Sequence, residues 1–208
     1  MPLFSLLTNR VAESITGIVL DKSLRGESGI LFKIFSEEEG LRVLYKRAGQ
    51  KKTSHLPDLF DEICAECEKS KTGDMLFLKD FELLKSHSEI ANNYDSFKTA
   101  CEISKCALKN AAYLEEFSKF HKMLVASFEA INSGADAQCV FIKYLYVFMR
   151  SEGYPIKEDF AASLTLGEFE TLKEILSTPA LQLKSKDAEP VLKKMQNWII
   201  SNTSVILD

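Results

Sequence analysis

Apolar and polar residues alternate along the first part of this chain, and the apolar spacing lengthens to three or four after about residue 93. The first part holds five short runs with a period near two, each bounded by turn-forming residues. They are Ile15–Val19, Ile30–Phe35, Leu41–Tyr45, Glu62–Cys67 and Met75–Leu84. Five short strands in so short a stretch predict a small β-barrel, and an oligonucleotide-binding (OB) barrel has this strand count.

The second part follows the helical period. Cys139 to Met149 is apolar on most sides, which predicts a helix at the buried centre of a bundle. Pro190 suits the first turn of the last predicted helix. The other helical patterns cover Phe97 to Ala111, Phe117 to Ile131, Gly167 to Leu176 and Glu189 to Ile200.

These periods predict an α+β protein with two domains. An N-terminal five-stranded OB-fold β-barrel, with a short N-terminal extension, covers residues 1–85, and an α-helical domain covers residues 86–208. No apolar run reaches the length of a membrane span, and the amino terminus carries neither a basic leader nor a small-residue cleavage site. Five cysteines, an odd number, favour reduced thiols over a disulfide framework, so we expect a cytoplasmic protein.

Charge distinguishes one short segment from the rest of the molecule. The chain has a formal net charge of −4, yet the stretch from Arg42 to Lys52 contains five cations and no acid. It runs from a predicted strand into a loop with a glycine, a geometry suited to holding a phosphate backbone. A run of like charge on a loop is more often solvated surface, and that alternative stays open.

Nearby residues extend this candidate nucleic-acid site. Lys33 lies on the second predicted strand and Arg25 in the turn before it, so a curled barrel could place both beside the basic loop. Tyr45 is the nearest candidate for base stacking, whereas Phe32 and Phe35 could equally be core residues. The predicted nucleic-acid-binding residues are Arg25, Lys33, Arg42, Lys46, Arg47, Lys51 and Lys52.

Patterns typical of metal binding or catalysis are weak. Cys64 and Cys67 have the spacing of half a zinc site, but the remaining cysteines and histidines are scattered, and an odd separation along a strand points the two thiols to opposite faces. The acidic turn Glu37–Glu39 is interpreted as solvated. No nucleophile with a base, carboxylate pair or glycine-rich phosphate loop stands out. The sequence therefore predicts a binding protein without metal or cofactor, and not an enzyme.

Four segments, in order and at fitting distances, resemble the opening of the bacterial RecO recombination mediators. That family shows an apolar strand with a Gly/Glu-Ser turn, a second strand with an acidic-Gly turn, and a third strand leading into Lys-Gly-Ala and a basic run. The segments here are residues 15–28, 30–40, 43–49 and 73–84. A looser match at residues 150–155, Arg-Ser-Glu-Gly-Tyr-Pro, is similar to the family's Gly-x-x-Pro ending of a central helix, and the resemblance covers about residues 14–156.

The resemblance implies a bacterial cytoplasmic protein that binds and anneals single-stranded DNA, with double-stranded DNA as an open alternative. It also implies that the protein helps to load a recombinase together with RecR and the C-terminal tail of single-strand-binding protein. Many family members carry a four-cysteine zinc module after the Gly-Tyr-Pro region, whereas no cysteine occurs here beyond Cys139, so we expect no zinc.

The acidic composition leaves a second hypothesis open. A protein-interaction adaptor would retain the fold with little DNA binding of its own and would accept an acidic, aromatic-ended peptide in an apolar groove between helices. Cations at the groove rim would come from Lys105, Lys109, Lys119, Lys122 or Lys143.

Overall fold

Five strands precede five α-helices in the part of the chain that the computed structural model describes, residues 12–27, 29–47, 56–70, 73–184 and 187–207. The strands are β1 (Ala12–Arg25), β2 (Gly29–Ser36), β3 (Gly40–Arg47), β4 (Glu62–Lys69) and β5 (Leu76–Lys85). The helices are α1 (Tyr94–Asn110), α2 (Phe117–Asn132), α3 (Ala137–Ser151), α4 (Leu166–Ser177) and α5 (Glu189–Asn202). Single helical turns connect them at Ser88–Asn92, Ala111–Tyr113, Ile156–Phe160 and Ala180–Gln182.

The strands form a closed barrel in the order β1-β2-β3-β5-β4. All neighbouring pairs are antiparallel except β3 and β5, which run parallel. Closure removes the exposed strand edges that a sheet of this size would otherwise present. The predicted α+β fold, an OB-type barrel followed by helices, is confirmed.

Alternation along the strands fills the barrel. Phe32 and Ile34 of β2 and Leu44 of β3 point inward and are fully buried. β1 is longer than its predicted run because its first half pairs with β4 and its second half with β2, with an irregularity between Val19 and Asp21. Its residues therefore serve two cores, since Val19 fills the barrel while Ile18 packs against the helices.

Helices α1, α3 and α4 begin at polar residues whose side chains satisfy a free N–H group of the first turn. The Asn93 side chain accepts a hydrogen bond from the Ser96 N–H, and the Asp136 side chain accepts one from the Cys139 N–H. Thr165 and Glu168 form a reciprocal capping box at the start of α4. Helix α3 is buried along most of its length, as its sequence predicts.

Besides the core inside the barrel, a second apolar core lies between the barrel and the helices. Two aromatic side chains of α2, Phe120 and Phe128, form part of this second core. The ring centroids of Phe120 and Phe35, on the outside of β2, are 5.1 Å apart, and those of Phe128 and Phe60 are 5.0 Å apart. The acidic β2–β3 turn also holds α2, because Glu37 accepts a 2.7 Å hydrogen bond from Ser118 Oγ. The β1–β2 turn lies at the other end of β2 from this contact.

Glu37, Glu38 and Glu39 are exposed, as the sequence predicts, and two of them also have cationic partners. Glu37 pairs with Lys122 at 3.1 Å in addition to Ser118, and Glu39 pairs with Arg42 at 3.0 Å. A single sequence does not reveal these contacts, because α2 reaches the turn only after the chain has folded.

No disulfide links the described cysteines, and burial makes some of their thiols poor nucleophiles. Cys67 points into the barrel and Cys64 points outward, as the odd spacing predicts. Burial raises the pKa of Cys67 to about 11 and that of Cys106 to about 12. Within the described residues, no group of three or more His, Cys, Asp or Glu could hold a metal ion. No described helix combines the length and the apolar character needed to cross a membrane.

Candidate nucleic-acid interface

The groove of interest opens where strands β3 and β5 separate. The two strands pair only through Leu44 with Leu76 and Tyr45 with Phe77. Beyond that point the Lys46 ammonium donates a 2.9 Å hydrogen bond to the backbone carbonyl of Lys79, in a place where the strand ladder no longer supplies a donor. The separation leaves an open groove of about 500 Å³ on the outside of the barrel.

Two aromatic rings form part of the groove wall. Tyr45 and Phe77 are half-buried and meet edge to face, with 5.6 Å between ring centroids. The exposed Arg47 places its guanidinium 5.7 Å from the centroid of Phe77. Such a surface offers an unpaired base a ring to stack on and a cation for the adjoining phosphate.

Cations outnumber acids along the groove. Lys46, Arg47, Lys69 and Lys79 line it together with one acid, Glu68. Two of these lysines have acidic partners, since Lys79 pairs with Glu68 and Lys69 pairs with Asp74, each at 2.9 Å. Both pairs are partly exposed, so a phosphate can exchange with the carboxylate at small cost.

Arg25 lies at the same end of the barrel. It pairs with Gly29 across the β1–β2 turn, and Gly29 in turn pairs with Arg47. The structure therefore brings Tyr45, Lys46 and Arg47 together in the groove and places Arg25 two strands away at the same end of the barrel. Lys51 and Lys52 lie outside the described residues.

Two other predicted cations lie elsewhere and are engaged by carboxylates. Lys33 Nζ is 2.9 Å from Asp21 on the neighbouring strand. Arg42 lies at the other end of β3, where its guanidinium contacts Glu13 and Glu39 at 3.0 Å each. The structure does not bring Lys33 and Arg42 to the groove, because strand register sets their neighbours.

Sequence reasoning missed Phe77, Lys69 and Lys79. Phe77 follows Tyr45 by 32 positions, and only the parallel pairing of β3 with β5 brings the two rings together. One signal was present: Phe77 and Lys79 alternate with the buried Leu76 and Leu78, so a strand there must present both to the outside.

Neither a family model nor a curated protein matches this chain. The resemblance to RecO mediators therefore rests on residues 15–28, 30–40, 43–49 and 73–84 and on the looser match at residues 150–155.

Proposed function

We propose that this protein is a RecO-like mediator of DNA repair and homologous recombination. Its barrel binds single-stranded DNA in the groove between β3 and β5, and the protein anneals strands and helps to load a recombinase. RecR and the C-terminal tail of single-strand-binding protein are its proposed partners in the bacterial cytoplasm. The proposal requires no covalent chemistry and no cofactor.

One observation carries the proposal: cations and two aromatic rings line the same groove on a closed barrel. Binding of DNA phosphates requires cations, and binding of single strands also requires aromatic surfaces on which unpaired bases stack. Tyr45, Phe77 and Arg47 meet both needs within one contact cluster. The barrel belongs to an architecture that binds oligonucleotides through its outer strands and loops.

The adaptor hypothesis remains the second candidate, and one observation favours it. Glu68 and Asp74 already neutralise two of the four groove lysine and arginine side chains. DNA must displace these carboxylates, which lowers the binding free energy gained from each phosphate contact. An adaptor would therefore show weak DNA binding even at low salt.

Fluorescence anisotropy of a labelled single-stranded oligonucleotide at several salt concentrations tests the proposal. With about five phosphate contacts, log affinity should fall with log salt at a slope of roughly −3.5. The double variant Arg47→Gln/Lys69→Gln should make this slope shallower by about 1.4, at about 0.7 per contact. Phe77→Ala should instead cost about 1–3 kcal/mol of binding at an unchanged slope, because it removes a stacking surface and no charge.

The control is Lys98→Gln/Lys173→Gln, which removes two exposed cations from the helical domain and should leave the slope unchanged. Annealing of complementary oligonucleotides, measured with the same set, should fall in the order of the affinities. No binding at low salt would refute the DNA-binding proposal and favour the adaptor. Equal slopes for all variants would place the site outside this groove.

A further inference from the structure

A second groove lies on the helical part of the protein. It consists of two adjoining cavities of about 250 Å³ each, which share Tyr113 and Glu152 as a common wall. The first cavity runs between α2 and α3, and the second is bounded by the segment after α5. We call the pair the α2–α3 trough.

The floor of the trough is apolar and partly open to solvent. Phe120 and Met123 line the first cavity, while Leu114 and Phe148 line the second. Tyr113 stands 74% exposed between them, so a large ring is left without a covering neighbour. An open groove with an apolar floor and charged walls fits side chains of an extended peptide better than a single compact ligand.

The far wall of the trough is held in place by specific hydrogen bonds. The buried Asn110 side chain donates to the Ile206 carbonyl at 2.8 Å and accepts from the Ile206 N–H at 3.1 Å. The Tyr154 hydroxyl contacts Ser204 Oγ at 2.8 Å. A wall fixed before binding lowers the ordering cost that an incoming segment must meet.

Charge identifies the kind of segment that fits. Three glutamates, Glu115, Glu116 and Glu152, line the first cavity with Lys119, which already pairs with Glu116 at 3.3 Å. Burial and repulsion from Glu115 raise the pKa of Glu152, and a cation beside these carboxylates would relieve that repulsion. An acidic peptide, the ligand of the adaptor hypothesis, would meet like charge here.

We propose that the α2–α3 trough binds an extended segment of a partner protein in which lysine or arginine stands next to an aliphatic or aromatic residue. The cation lies against Glu115 and Glu152, and the apolar side chain enters the cavity floored by Leu114 and Phe148. DNA is disfavoured because its phosphates would face the glutamates. This site is separate from the barrel groove and does not depend on the function proposed for it.

Selection of random phage-displayed dodecapeptides on the full-length chain tests this proposal. Enriched peptides should carry lysine or arginine beside an apolar residue. A synthetic copy of the most enriched peptide should bind at least about tenfold more weakly to Glu115→Gln/Glu152→Gln and to Tyr113→Ala. Tyr113 is exposed, so its truncation tests the trough without disturbing the core.

Glu158→Gln/Glu170→Gln, which removes two exposed carboxylates elsewhere, is the matched control and should bind the peptide as the unaltered chain does. Arg47→Gln/Lys69→Gln should also leave peptide binding intact, which separates this result from that of the barrel groove. Absence of enrichment, enrichment of acidic peptides, or equal binding by the trough variants would overturn the proposal. So would self-association in sedimentation velocity that Glu152→Lys abolishes, because the occupant would then be a second copy of the chain.

Discussion

Gly29 supports the aromatic surface of the barrel groove by lacking a side chain. A Cβ at this position would lie 2.4 Å from Tyr45 Oη and 2.7 Å from the carbonyl oxygen of Arg25. We therefore expect Gly29→Ala to lift the Tyr45 ring from the sheet. Single-stranded DNA affinity should fall by up to about 1–3 kcal/mol at an unchanged salt slope, since no cation is lost. Anisotropy titrations at several salt concentrations measure both quantities.

Gly167→Ala is the matched control, because no atom lies within 4 Å of a Cβ there. It lies in the first turn of α4 and should leave DNA binding unaltered. If Gly29→Ala binds DNA as tightly as the unaltered chain while circular dichroism shows it folded, Tyr45 does not serve as a stacking surface.

The carboxyl end of helix α4 is stabilised by a lysine from helix α3. The half-buried Lys143 ammonium donates to the carbonyls of Leu176 at 3.2 Å, Ile175 at 3.4 Å and Thr178. A cation here satisfies carbonyls that the helix leaves free and complements the helix dipole. Burial lowers the pKa of Lys143, yet the ammonium has no acidic partner in the described contacts. The adaptor hypothesis placed Lys143 among the cations at the groove rim, whereas in the structure its ammonium caps the carboxyl end of α4.

We expect Lys143→Met to lower the free energy of unfolding by about 1–2 kcal/mol, because the aliphatic stem is kept and only the cap is lost. Urea denaturation followed by circular dichroism measures the change. Lys173→Met, on the exposed side of α4 with a 3.7 Å contact to Glu170, should change stability by less than about 0.5 kcal/mol. Equal effects of the two substitutions would show that the cap contributes nothing.

The elements themselves follow closely from the sequence. Period-two runs locate all five strands and helical spacing locates all five described helices, because both patterns depend on residues near each other in the chain.

The candidate site was only partly predictable. The basic run led to Lys46 and Arg47, but the partners of Lys33 and the approach of Phe77 to Tyr45 depend on cross-strand register. Register is set by the whole barrel, and no local pattern encodes it.

At the scale of the whole molecule, helix α2 joins the barrel to the other helices. Phe120 and Phe128 of α2 pack against the barrel residues Phe35 and Phe60. Phe60 adopts a left-handed backbone conformation, with φ of 69°, which an ordinary residue keeps only when its surroundings impose it. The orientation of the barrel groove relative to the trough therefore depends on this joint.

We expect His121 of α2 to make the joint sensitive to acid. It is 9% exposed, and its Nε2 atom has no hydrogen-bond partner within the described part of the chain. Burial lowers its pKa below the ordinary 6.5, with Lys122 acting in the same sense and Glu37 and Glu62 opposing it. The folded protein therefore binds fewer protons than the unfolded chain as the pH falls below about 6.5, and protons favour unfolding. We expect the free energy of unfolding to decrease between about pH 7 and pH 5.

His121→Gln should flatten the dependence of the unfolding free energy on pH, because glutamine takes up no proton in this range. The difference between the two pH profiles isolates His121 from other titrating groups. Urea denaturation at successive pH values measures both profiles. Tyr144→Phe serves as control: burial raises the pKa of Tyr144 well above 10, so the substitution should shift stability equally at every pH in this range. Parallel profiles for His121→Gln and the unaltered chain would mean that His121 has the same pKa in the folded and unfolded states, which would contradict this prediction. A flatter profile would tie acid sensitivity to the joint that orients the barrel on the helices.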